Sequence, residues 1–148
     1  MAHADFPSRF ADKSRKVGGD KIGFVAGAFD FVHAGHCILF ERCKKHCDYL
    51  IVGLQTNPRI DRPEKNTPVL SVEERMIMLR ANKYVDAIIV YEKETELIAL
   101  EKWLPAHVRF RGIEHRGEPH YFTKGKFMDI EGDDTIHSTD IRKRICAH

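Results

Sequence analysis

Two histidines three residues apart, His33 and His36, flank Gly35 in the stretch GAFDFVHAGH that runs from Gly27 to His36. The stretch follows an apolar run, Ile22 to Ala26, and opens a segment whose apolar residues recur at helical spacing. This sets the histidines where a strand hands over to a helix. The first amides of a helix lack partners within it and its dipole is positive there, so a polyanion docked at this junction meets several donors at once. Two imidazoles add to those donors, and Gly35 lets the backbone approach a ligand with no side chain between. The chemistry suggested is phosphate binding, with Gly27, Ala28, Phe29, Asp30 and Gly35 as the cradle. Competing readings of an isolated histidine pair are a solvated helix start or half of a metal site.

The combination of strand end, early glycine, aspartate and His-x-Gly-His resembles the signature of the nucleotidyltransferase superfamily that includes glycerol-3-phosphate, ethanolamine-phosphate and choline-phosphate cytidylyltransferases. A second stretch, TIHSTDIRKRI, resembles that family's closing motif of Ile-Ser-Thr-Thr or Ile-Ser-Ser-Thr followed by x-Ile-Arg; Ile136, Ser138, Thr139, Ile141 and Arg142 fit it. The resemblance implies that His33 and His36 are the catalytic donors to the α- and β-phosphates. It gives Ser138, Thr139 and Arg142 the outer phosphates. An ordinary helix cap is the structural alternative for Ser138 and Thr139. In KNTPVLSVEER the resemblance makes Lys65 the loop lysine that closes on the triphosphate, and matches Arg75 to the arginine after the paired glutamates. An arginine in the first turn of a helix runs against the dipole and needs a partner. Arg111, Gly112 and Glu114 stand where the family's fourth strand delivers a glycine and an acidic residue to the nucleotide. Two departures stand out: His137 replaces the usual first serine, and Gly132 falls where cytidylyltransferases carry an arginine. Arg142, Arg116 or Lys124 are the candidates to replace that grip.

These residues need a frame, and the chain between them alternates regularly. Its 148 residues suit one domain. Residues 1–20 show no sustained helical or strand period and read as a flexible N-terminal arm, with the nucleotidyltransferase domain over 21–148. The first strand covers Ile22 to Ala26. His36, Leu39, Phe40, Cys43 and Cys47 then form one helical stripe, with His36 at its top, and a second apolar strand covers Tyr49 to Leu54. A polar loop from Gln55 to Leu70 precedes a helix to about Ala81, opened by a Ser71/Glu74 capping box. Further strands are expected over Tyr84–Tyr91, His107–Arg111 and Phe127–Ile130. Thr95 is the expected cap of a short helix whose inward residues include Leu97, Leu100, Trp103 and Leu104. Strand, helix, strand of this composition is a right-handed parallel crossover. The expected fold is therefore a single doubly wound, Rossmann-like α/β domain with a five-stranded parallel sheet and helices on both faces. The nucleotide would lie where the first and fourth of those strands diverge.

Composition limits the partners. Lys and Arg number 24 against 22 Asp and Glu, so the totals demand neither nucleic acid nor an anionic membrane. No apolar run approaches the roughly 20 residues that span a bilayer, and four cysteines without a signal peptide suit reduced thiols in a cytoplasm. Cys43, His46 and Cys47 lack a second metal-ligating pair with suitable spacing and read as core thiols rather than a zinc site. With no Walker glycine loop, the resemblance implies transfer of CMP from CTP to a small phosphorylated alcohol, with Mg²⁺ bound through the nucleotide phosphates and a homodimer as the working unit. An adenylyltransferase using ATP and a sugar phosphate is the alternative within the class, because HAGH, EERMIML and YEKETELI also resemble the heptose-phosphate branch. A catalytically weak nucleotide- or RNA-binding module is the alternative outside it; the RNA form would use Arg109, Arg111, Arg116, Lys124 and Lys126.

Overall fold

In a computed structural model of the protein, residues 10–12, 21–132 and 136–148 are described, apart from the side chains of residues 10–12 and of Glu114. The elements in chain order are β1 (Phe10–Asp12), β2 (Ile22–Gly27), α1 (Ala34–Lys44), β3 (Tyr49–Gln55), α2 (Val72–Arg80), β4 (Ala87–Tyr91), α3 (Glu94–Trp103), β5 (Val108–Gly112), β6 (Lys126–Ile130) and α4 (Ser138–Cys146). Among the described residues the sheet runs β1-β4-β3-β2-β5-β6. Strands β4, β3, β2, β5 and β6 are parallel, as expected, and β1 is antiparallel at the edge beside β4.

Two continuous apolar strands form the centre of this sheet. Every residue of β3 is buried, as an all-parallel strand covered on both faces requires. Alternate residues then divide between two cores. On one face Val25, Val52 and Phe110 pack with Phe40 and Cys43 of α1 and Leu79 of α2. On the other, Phe24, Ile51 and Ile89 pack with Leu104, Ala106 and Phe122, and with the half-buried Leu97 and Leu100 of α3. Helices therefore cover both faces. Strand order reverses between β2 and β5, which opens a crevice at their carboxyl ends.

Local expectations hold in part. Ser71 and Glu74 form the reciprocal capping box at α2. Helix α3 starts earlier than Thr95 would set it: Lys93 is its N-cap without a side-chain bond, and Glu94 and Glu96 face the positive end of the dipole instead. Trp103 is 61% exposed rather than inward. The buried stripe of α3 is Leu97, Leu100, Glu101 and Leu104, and residue 103 lies well round the helix from that face. Within the N-terminal segment, Phe10–Asp12 pairs with Ala87–Ile89 as an edge strand of three residues, too short for apolar periodicity to foretell. The rest of residues 1–20 lies outside the described residues. Cys43 and Cys47 are buried core thiols, and among the described residues no group of three or more His, Cys, Asp or Glu could hold a metal ion.

Candidate active site

Helix α1 is capped by a histidine. His33 has extended backbone and its Nδ1 accepts from the Gly35 amide at 3.1 Å, while His36 Nδ1 accepts from the His33 amide at 3.3 Å. This is a capping box built from two imidazoles, a task usually left to Ser or Thr with Glu. The rings stack with centroids 3.8 Å apart, and Phe29 meets His36 edge-on at 5.3 Å. Phe29 and Phe31 both have positive φ, 45° and 34°, a costly conformation for bulky residues held here by the packing of Phe29 on His36 and Phe40.

The closing motif arrives at the same place. His33 Nε2 lies 3.0 Å from Ser138 Oγ at the start of α4. A Cβ at Gly35 would sit 2.6 Å from the Ile136 carbonyl oxygen, so only glycine lets α1 and the approach to α4 come this close. Arg42 holds that approach from below by donating to the carbonyls of Glu131 and Gly132. Two helix N-termini thus converge on one cleft of about 680 Å³, which Ala28, Phe29, Asp30, Gly35, Lys65, Gly112, Thr139 and Arg142 line together with His33, His36 and Ser138.

Burial dominates the titration of both histidines. It pushes the His33 pKa down, with the neighbouring His137 adding to the effect. It holds His36 at about 3, helped by His33 and opposed by Asp30. Both rings are therefore neutral near pH 7, and a bound polyanion would raise their proton affinity.

Several residues are placed differently from expectation. Arg75 is 1% exposed and does not face a ligand. Its guanidinium donates to the carbonyls of Ala28 (2.9 Å), Gln55 (2.7 Å), Thr56 (2.6 Å), Leu70 (3.1 Å) and Ser71 (3.3 Å), which explains a cation in the first turn of α2. It ties the ends of β2 and β3 to the end of the polar loop. Arg111 is also turned away from the cleft: it bonds Asp129 at 2.8 Å and the Glu118 carbonyl at 2.6 Å. Asp30 accepts from the Val69 and Leu70 amides and from Arg142. Gly27 lies just below the cleft, where a Cβ would meet the Phe29 ring at 3.2 Å. Of the candidates to replace the missing arginine near Gly132, Arg142 lines the cleft, whereas Arg116 sits 3.7 Å from Asp129 and Lys124 donates to the Leu104 carbonyl. Arg109 is buried against Glu101 at 2.8 Å. Four of the five cations expected to serve RNA thus have a partner within the protein. The Glu114 side chain lies outside the described residues.

Five lining residues were not singled out from sequence: Pro58, Asn66, Pro68, His115 and Asp140. Topology brings in the first four, which follow β3 and β5 in chain order, whereas Asp140 was signalled by its place inside the closing motif.

A parallel α/β sheet whose switch point faces two converging helix N-termini, one capped by a His-x-Gly-His step, defines a nucleotidyltransferase-type domain. A family model described as Cytidylyltransferase-like matches residues 24–131, and the chain belongs to that family of nucleotidyltransferases. The chain is 30% identical over 127 residues to the Bifunctional protein HldE of Granulibacter bethesdensis, covering 85% of this chain and 24% of that protein. It is 36% identical over 91 residues to the protein of the same name from Mesorhizobium japonicum, covering 61% and 18%. The chain thus spans about a quarter or less of the length of these curated relatives. In fold it is similar to the crystal structure of the lipopolysaccharide core biosynthesis protein from Thermoplasma volcanium GSS1, with a TM-score of 0.56, 17% identity and coverage of 87% and 88% of the two chains. Among the described residues no helix is long and apolar enough to cross a membrane.

Proposed function

We propose that this domain transfers an adenylyl group from ATP to a phosphorylated sugar and releases pyrophosphate. The observation that carries nucleotidyl transfer is the junction of His33, Gly35 and Ser138, which aims two sets of helix-start amides at one cleft. What favours the sugar phosphate over the phosphorylated alcohol expected with CTP is that the relatives aligning with most of the chain are HldE proteins. The heptose-phosphate character of HAGH, EERMIML and YEKETELI points the same way. The Cytidylyltransferase-like family description keeps CTP and a glycerol-phosphate-like or ethanolamine-phosphate-like acceptor as the second reading.

In the proposed reaction an acceptor phosphate oxygen attacks the α-phosphorus in line, and the bond to the bridging α–β oxygen breaks, leaving with pyrophosphate. Rate then comes from positioning and from donors aimed at developing charge. His33 and His36 are assigned to the α- and β-phosphates. Lys65, Arg142, Ser138 and Thr139 are assigned to the outer phosphates, and Gly112 gives the nucleoside room at β5. The donor set suits Mg²⁺ delivered on the nucleotide: Asp30, the buried carboxylate of the cleft, is already committed to protein donors. When bound, the ion would neutralise phosphate charge. A homodimer is part of the proposal, supported by the exposed apolar residues Val69, Ile77 and Met78 on and before α2.

The test is pyrophosphate release with Mg²⁺ and either ATP or CTP against a panel of sugar phosphates, glycerol 3-phosphate and ethanolamine phosphate. The product is identified by mass. Release with ATP and a sugar phosphate is expected. Release with CTP and an alcohol phosphate establishes the second reading, and nucleotide binding without turnover points to the non-catalytic cradle.

A further inference from the structure

Asp30 joins three parts of the site through one carboxylate. Its Oδ1 accepts from the Leu70 amide at 3.0 Å, and its Oδ2 accepts from the Val69 amide at 2.9 Å and from an Arg142 terminal nitrogen at 2.5 Å. Asp30 is 8% exposed. Val69 and Leu70 end the loop that carries Lys65 into the cleft, and Arg142 lies one turn into α4. A buried carboxylate beside a cleft built for polyanions is repulsive to the ligand unless its charge is used. Here Arg142 neutralises it. A guanidinium is a rigid fork of five N–H donors, so anchoring one arm fixes the direction of the others. The Phe31 ring beneath the guanidinium, 5.1 Å from its carbon, limits the remaining freedom.

We propose that Asp30 is a positioning residue: it aims Arg142 at the triphosphate and, through the same carboxylate, couples that grip to the closing end of the Lys65 loop. It acts through Arg142 and the loop rather than on the nucleotide. The inference rests on the nucleotidyl-transfer reading. Phosphate oxygens that draw on the Arg142 charge leave Asp30 a stronger acceptor for the two amides. Occupancy at α4 is therefore felt at residues 69 and 70, which are not among the residues lining the cleft.

The experiment is a double-mutant cycle on affinity for ATP and for inorganic tripolyphosphate, measured by calorimetry, with amide exchange at Val69 and Leu70. Arg142→Ala is expected to weaken both ligands about 100-fold, and Asp30→Asn, which keeps shape and loses charge, about 10-fold. The double variant is expected to bind no more weakly than Arg142→Ala alone. Tripolyphosphate should slow exchange at the two amides in the wild type and leave them unchanged in Arg142→Ala, a response that a purely structural role for Asp30 does not give. Losses that multiply, tighter binding by Asp30→Asn, or amides indifferent to ligand in the wild type overturn the proposal while leaving nucleotide binding intact. A wild type that binds neither ATP nor CTP overturns this inference and the proposed function together. The wild-type and Arg142→Ala exchange measurements decide the matter even if Asp30→Asn does not fold.

Discussion

His33 Nε2 and Ser138 Oγ lie 3.0 Å apart although 105 residues separate them in the chain, so the two ends of the domain meet in one hydrogen bond. The same imidazole caps α1 through its other nitrogen. One ring therefore joins α1 to α4 and lines the cleft between them.

Removing that ring should cost chemistry more than folding. For His33→Ala the expected turnover loss is roughly 10²-fold or more, set against about 1 kcal/mol of stability for the lost cap. Ser138→Ala should cost less, and the two together less than the product of their separate losses, because they share one contact. Pyrophosphate release and a urea titration on the same samples check this; a turnover unchanged in His33→Ala removes the histidine from the mechanism.

The depressed histidine pKa values set a pH window. The folded state resists protonating His36 down to about pH 3, whereas the unfolded chain takes up that proton near 6.5. Stability from this source is fully present above pH 6.5 and is lost as pH falls from there toward 3. His36→Gln should flatten the acid limb of a denaturation profile. Nucleotide acts in the opposite sense: its charge favours protonated imidazole, so binding should take up protons. Calorimetry in two buffers of different ionisation enthalpy would detect this.

Arg75 is a structural clamp, and its loss should be expensive. Arg75→Met leaves up to five buried carbonyls without their donor and should destabilise by roughly 3–5 kcal/mol. Arg75→Lys should recover only part, since a point charge cannot reproduce a planar fork. Chemical denaturation midpoints separate the three proteins, and a midpoint within the error of the wild type would refute the clamp.

Gly35→Ala tests how close the two helices come. The added methyl would meet the Ile136 carbonyl oxygen and the His33 ring at 2.6 and 2.9 Å, and overpacking of this kind costs about 1–3 kcal/mol. Displacing the approach to α4 should also weaken tripolyphosphate binding by an order of magnitude or more. Both effects are measurable by thermal unfolding with and without the ligand.

Apolar periodicity made the sheet legible because parallel strands buried on both faces write nearly continuous apolar runs, as at Tyr49–Gln55. Spacing also placed His33 and His36 at a helix start, since capping is local chemistry, while Ser138 was placed by the resemblance to the closing motif and is the first residue of α4 after the N-cap His137. What stayed hidden was partner choice at a distance. Arg111 and Arg75 look alike in sequence to ligand-binding cations, but Asp129 claims one and a ring of carbonyls claims the other. Asp30 reads as part of the phosphate cradle, and only the fold brings Val69, Leu70 and Arg142 to its carboxylate. Edge strand β1 is only three residues long, too short to write a period.

Helix α4 contributes its N-terminus to the cleft but buries no residue of its own. Both halves of the core are therefore built without it. A change that unseats α4 should leave a folded sheet facing a half-built cleft, so that nucleotide competence and the fold can be lost separately.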